Sequence, residues 1–349
     1  MKLRIFLFLS ACALANAAES DHPVAVNTKA QAKGAAKASV PVPPKSGIKT
    51  PGVQIPFASL KEEAKVPVEA PVRILIAESV LVPSRANDLL VRVDAKTNKP
   101  QDPVAGMKKP CSGIVTGFAS AWVPNCESQS LVRVETKTAK ITATIPLGVA
   151  DVHSGIAATA DSVWLFSDNR GTLSRIDPDT NEVVGEMRLA ADCANLLAAE
   201  SSLWVTCPSE NRLVRISPAK HTVEKRIEVS AKPGSIAFGD GSIWVLCEKD
   251  GKIDRIDPKT NKVIKTIDLA TPGVTGELAY GESFLWVSQP GFPLTRIETT
   301  AEKERVAQQF RGEGGGLIAT QAGAIWMGST VQGSVARFDP KRVIATLAE

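Results

Sequence analysis

All six tryptophans of this chain, Trp122, Trp164, Trp204, Trp244, Trp286 and Trp326, occupy one slot of a pattern that recurs about every 40 residues. Each lies in a short apolar run such as Ser-Ile-Trp-Val or Ser-Leu-Trp-Val. A unit of this length cannot bury its apolar face alone, so it stacks against copies of itself; about 40 residues is the length of one propeller blade. The chain has 349 residues, enough for one large propeller or two ordinary domains, and the repeat favours the first.

Each unit reads as four short strands. The clearest has Gly234–Phe238, Ser242–Val245, Lys252–Ile256 and Lys262–Ile267, with alternating apolar residues between Gly and Asp-Pro punctuation. The third strand carries an arginine, which counts the units independently: Arg92, Arg133, Arg175, Arg215, Arg255, Arg296 and Arg337. Eleven residues before Arg92, where tryptophan is expected, stands Leu81. The predicted fold is therefore all-β, a seven-bladed β-propeller of four-stranded antiparallel blades centred on Leu81 and the six tryptophans. Asp177-Pro178-Asp179-Thr180-Asn181 and Asp257-Pro258-Lys259-Thr260-Asn261 suit type I turns, shortened in the last unit to Asp339-Pro340-Lys341. Both the first and the last unit read as four-stranded, so no shared blade closes the ring; Val53–Phe57 offers an additional outer strand.

The rest of the chain divides at residues 17 and 52. Residues 1–17 form an export signal: basic Lys2 and Arg4, an apolar stretch from Ile5 to Ala15, and the small-x-small site Ala15-Asn16-Ala17. Leu9-Ser10-Ala11-Cys12 resembles a lipobox, which would instead make Cys12 a lipid anchor. Both readings export the protein to the periplasm or beyond, and no later segment is apolar for long enough to span a bilayer. Residues 18–52, rich in Ala, Lys and Pro, read as a disordered linker, and residues 53–349 as the propeller. The net charge of +4 is carried by residues 1–52, whose seven basic and two acidic residues give +5 and leave the propeller at −1. That balance argues against nucleic acid as a partner.

The tryptophans recur too regularly to be ligand platforms and read as packing. Six of the arginines have an acidic residue two positions on, as in Arg92/Asp94 and Arg255/Asp257, which suggests an ion pair within each blade. His221, in the turn after Ser217-Pro218, reads as solvated.

The start of the innermost strand and the end of the second emerge on one face of a propeller. Those slots hold Cys111, His153, Cys193, Pro233, Thr275 and Gly315 at the starts, and Asn125, Ser167, Cys207, Cys247, Gln289 and Ser329 at the ends, with Cys126 one further on. In an exported protein, Cys111 with Cys126 and Cys193 with Cys207 would form disulfides between adjacent strands, leaving Cys247 as a free thiol. Alternatively, Cys193, Cys207, Cys247 and His153 could hold a divalent metal, with Asp151, Asp192 and Glu277 beside them as ligands or supporting groups. No cofactor is firmly implied. Asn125, Asp151, Asp192, Glu277 and Gln289 are the candidate ligand-binding rim.

The Ser-Ile-Trp-Val strand, the Arg-Ile-Asp-Pro-x-Thr-Asn turn and the Lys-Val-Ile-x-Thr-Ile strand resemble those of YVTN-type and streptogramin (virginiamycin B) lyase-like propellers, over roughly residues 70–349. That resemblance implies an elimination that opens a lactone, using magnesium, histidines and glutamates on this rim. Val152-His153-Ser154-Gly155-Ile156 matches the family's Pro-His-Gly-Ile pattern and makes His153 the catalytic candidate. The family's carboxylate slot, however, is filled here by Asn125, Ser167, Cys207, Cys247, Gln289 and Ser329. Three functions follow in order: a binding or scaffold module whose rim takes a small molecule, peptide or envelope protein; a metal-dependent lyase or hydrolase centred on His153; and a metal- or thiol-dependent redox protein.

Overall fold

The fifth blade shows how a unit folds. In the computed structural model, which describes residues 47–150, 155–300, 303–329 and 331–347, Pro233–Gly239, Ser242–Cys247, Lys252–Asp257 and Lys262–Asp268 pair in sequence order from the inside outwards. The first hairpin turns at Asp240-Gly241, both with positive φ, as the right-handed twist of the strands requires. The second strand is buried at all six positions, because a neighbouring blade covers each of its faces. At the next turn the Asp257 carboxylate accepts from the Lys259 amide at 2.9 Å and the Thr260 hydroxyl at 2.8 Å, while Asn261 takes the left-handed conformation.

Seven such sheets are present among the described residues, which makes the protein an all-β, seven-bladed propeller. The ring closes differently from the expectation. The seventh blade draws only three strands from the C-terminal end, Leu317–Gln321, Ala324–Ser329 and Ser334–Phe338. Its outer strand is Ala64–Pro67, antiparallel to Ser334–Phe338, with Val66 opposite Val335. Where a fourth strand was expected after Asp339, that residue instead caps a helix, Pro340–Ala345, by accepting from the Lys341 amide at 2.8 Å. The ends of the ring are thus held together by a shared blade, reinforced by an ion pair of Arg337 with Glu63.

The segment near residue 55 does add a strand: Gln54–Pro56 lies parallel to Arg305–Arg311 as the fifth strand of blade six. Residues 47–52, read as the end of the linker, are also docked there. The Gly47 amide donates to Ala270 O at 2.8 Å, and the Ile48 amide to Gln309 Oε1 at 2.8 Å. The propeller belongs to the unit Val42–Glu349; the unit Met1–Pro41, with the signal and Cys12, lies outside the described residues.

Every tryptophan is essentially inaccessible and packs between its own blade and the next, as Trp204 does against Ile243 and Val245. Burying an aromatic of 150–250 Å² at about 25 cal/mol per Å² is worth roughly 4–6 kcal/mol per tryptophan before entropy.

The repeat arginine extends the same junction. Arg215 stacks 5.0 Å from the Trp204 ring, donates to Ser202 Oγ at 2.9 Å, and reaches the turn of the next blade at Pro258 O (2.6 Å) and Asn261 Oδ1 (3.0 Å). Arg133 repeats the arrangement with Trp122, Ser120, Pro178 and Asn181. In these blades the arginine therefore staples its blade to the next; Arg175, Arg215 and Arg255 also form ion pairs within their own blades, but with Asp161, Glu224 and Asp240 rather than with the residue two positions on. Of the six spaced pairs, only Arg296 and Glu298, 3.9 Å apart, form an ion pair among the described residues. The turn aspartates are instead occupied by their own amides, as Asp94 is by Lys96 and Thr97. His221 is not solvated: it fills the asparagine position of its turn, contacts Arg175 at 2.7 Å and meets the Trp164 ring edge-on at 5.6 Å. Since arginine can only donate, His221 Nε2 is the acceptor.

Candidate functional site

The strand starts converge, as expected, on one mouth of the central channel. There a cleft of about 670 Å³ is lined by Arg73, Asp192, Asn195, Lys232, Glu248 and Glu277 among others, and a narrower space of about 180 Å³ shares Arg73, Asn195 and Ser235 with it. The first volume falls within the range of small-molecule sites.

The second-strand ends behave differently. In four blades the side chain three positions after the tryptophan slot, Ser84, Asn125, Cys207 or Gln289, is buried and clasps the loop leading into its own innermost strand. Ser84 Oγ donates to Glu69 O at 2.6 Å, and Asn125 Oδ1 accepts from the Lys108 amide at 3.1 Å. Gln289 accepts from Thr271 Oγ1 at 3.0 Å and donates to Val274 O at 3.1 Å. Cys207 makes the same connection covalently, to Cys193, and Cys126, one position later, does so to Cys111. Asn125 and Gln289 are wholly buried and serve as clasps, so they do not present to the cleft as the rim reading required. The reason is geometric: the incoming loop folds over the strand end and covers it.

Asp192 and Glu277 do line the cleft. Asp192 accepts from the Ser209 amide at 2.5 Å and hydroxyl at 2.8 Å, which fixes the loop after Cys207. Glu277 is the more instructive residue. Its Oε2 accepts from the Ile318 amide at 3.2 Å in blade seven, and its Oε1 lies 3.3 Å from Arg73 Nη2, which comes from blade one. Lys232 and Glu248 form a second pair at 3.0 Å. Asp151 and His153 lie outside the described residues; in the sequence they immediately precede Gly155, which lines the narrower space.

Arg73 escapes a reading by tryptophan spacing because the first hairpin is one residue shorter. Leu75 pairs with Leu81, whereas Leu197 pairs with Trp204. With that correction, equivalent positions of successive blades are Arg73, Gly113, Gly155, Asn195, Ser235, Glu277 and Leu317. Two opposite charges thus stand in a ring of small, polar or apolar residues.

The metal alternative requires soft or anionic donors free to converge. Cys193 and Cys207 are bonded to each other, and Cys247 is fully buried with its thiol 3.7 Å from Asp254 Oδ2. Burial first, and the Asp254 charge second, push that thiol far above its ordinary range. Among the described residues no three His, Cys, Asp or Glu side chains converge, and the cleft carboxylates are engaged by Arg73, Lys232 or Ser209. Among the described residues, which leave out Asp151 and His153, the donors do not converge on a divalent cation, and the thiol-dependent reading loses its reactive group in Cys247.

No family model matches the chain, and no curated protein matches it by sequence. Among solved structures it is similar to one titled as a streptogramin B lyase, with a TM-score of 0.68 and 18% identity, covering 80% of this chain and 97% of the other. It is also similar to the selenomethionine-substituted virginiamycin B lyase from Staphylococcus aureus, with a TM-score of 0.67 and 15% identity, covering 79% and 98%. The class defined is thus a seven-bladed propeller of the shape shared with these lyases. At such identities the likeness concerns the fold, in agreement with the resemblance carried by the repeats.

Proposed function

We propose that the protein is an exported binding module whose channel mouth takes a small molecule or peptide carrying both a cationic and an anionic group. The observation that carries this reading is the pair of Arg73 and Glu277. Neither residue belongs to the repeat, they come from non-adjacent blades, and strand packing does not call for them. Arg73 remains one-third exposed to the channel (34%), so its guanidinium can receive a carboxylate while Glu277, held by Ile318, receives an ammonium. Export is supported by the signal-like N-terminus and by two disulfides, which persist in oxidising compartments. No helix among the described residues is long and apolar enough to cross a membrane.

The test is calorimetric titration of a dipeptide panel against the folded protein and its Arg73→Gln and Glu277→Gln variants. Saturable binding that weakens at least tenfold in each variant is the expected result; binding indifferent to both would refute the proposal. Intact mass of the exported protein, read alongside, distinguishes cleavage after Ala17 from acylation of Cys12.

A second reading, lactone opening by His153, is favoured by the likeness to solved streptogramin lyases. Under the binding proposal, incubation with a streptogramin B leaves its lactone closed. Ring opening that disappears in His153→Ala would establish the lyase instead.

A further inference from the structure

The junction between blades one and two departs from the four junctions that follow it at several linked positions. Leu81 replaces the tryptophan. Ala139 (φ 58°) replaces the left-handed asparagine of the turn that the arginine would grip. Ser79 Oγ, whose counterparts accept from the repeat arginine, donates to Gln101 at 2.8 Å. Arg92 is retained, but it is left with a long 3.4 Å hydrogen bond to Asp102 O. A cavity of about 280 Å³ opens here, on the face opposite the channel mouth. Its floor is Leu81, Leu90, Ala121 and Val134, all at least 94% buried, and Arg92 stands at its edge.

We propose that this cavity is a binding site for a free, neutral, fused bicyclic aromatic molecule bearing a ring N–H, of the indole class. Three features define that chemistry. First, an apolar cavity of about 150 Å³ accommodates benzene, so this larger volume suits two fused rings. Second, Arg133, Arg215 and Arg255 each hold the guanidinium 4.7–5.0 Å from an indole, and Arg92 has the same place in the repeat without a ring to cover. Third, the tryptophan Nε1 donates to Gly117 O, Ala199 O, Gly239 O and Gly281 O in four other blades. The register places Ala77 of blade one at that acceptor position, and Ala77 lines the cavity. Glu78 and Glu135 flank Arg92 in the lining and select against an anionic ligand. The proposal is independent of the channel-mouth reading.

Indole titrated into the full-length protein, followed by heteronuclear NMR, tests the site. The expected result is saturable one-to-one binding that is abolished in Leu81→Trp, where a covalent indole occupies the cavity. Arg92→Gln leaves the apolar floor intact and should weaken binding about threefold to tenfold, which keeps the test informative if the tryptophan variant fails to fold. Absence of saturable binding to the wild type, or binding unchanged in Arg92→Gln, would overturn the proposal. Tighter binding of N-acetyltryptophanamide than of indole would overturn its assignment to a free small molecule, pointing instead to a partner's tryptophan side chain.

Discussion

The junction between blades four and five and the junction between blades one and two are built from the same repeat, and only one of them is stapled. In the first, Trp204 fills the wedge, Arg215 covers its ring, and the guanidinium holds Pro258 O and Asn261 across the gap. In the second, Leu81 leaves space, Ala139 offers the arginine no side-chain acceptor, and Arg92 is released. Both keep buried apolar strands on either side, so backbone pairing and ordinary packing suffice to hold two blades together. The staple adds stability and specificity of approach; removing it frees volume.

Mutations at equivalent positions of the two junctions should therefore have unequal effects. The largest contrast is expected at the wedge. Trp204→Ala should cost about 3–5 kcal/mol in urea unfolding, whereas Leu81→Ala, beside an existing cavity, should fall near the lower end of its class, about 2 kcal/mol. Equal losses would erase the distinction. The loop clasps come next: Cys193→Ala with Cys207→Ala should remove about 3 kcal/mol by the chain-entropy argument for a separation of 14 residues. Ser84→Ala, which deletes only the hydrogen-bonded version in blade one, should cost about 1 kcal/mol. At the arginine, Arg215→Ala should destabilise by about 2 kcal/mol, and Arg92→Ala by no more than about 0.5 kcal/mol.

The smallest effect is acid dependence in the turns. The Lys259 amide first, and Thr260 next, hold the Asp257 carboxyl below the usual range; the Thr97 amide and hydroxyl do the same for Asp94. A depressed carboxyl contributes fully above its unfolded value, near 4, and loses that contribution as the pH falls through the lower folded value. The stability difference between wild type and Asp257→Ala, followed by thermal unfolding, should be constant near neutrality and shrink below about pH 4. A difference that grows in acid would contradict this sign.

The blade count was legible because tryptophan and arginine recur at fixed spacing, and each satisfies a local demand of one junction. Ring closure was not, since Ala64–Pro67 carries no repeat signature and its partner lies some 270 residues away. His221 was misread for a related reason. A histidine in a turn looks solvated until the neighbouring blade brings Arg175 and Trp164 to it. In the candidate site, counting from tryptophan found Glu277 and Asp192 but missed Arg73, displaced by the shorter first hairpin. It also assigned Asn125 and Gln289 to a rim that their own loops cover.

The central claim is that the first junction is an unstapled copy of the four that follow it, with the room and the partners for the missing residues still in place. Thermal unfolding of Leu81→Trp/Ala139→Asn measures this directly. Restoring the wedge and the arginine's acceptor together should raise Tm by about 2–6 °C over wild type. A lower Tm would show that the junction has repacked around Leu81 and that the cavity cannot receive an indole.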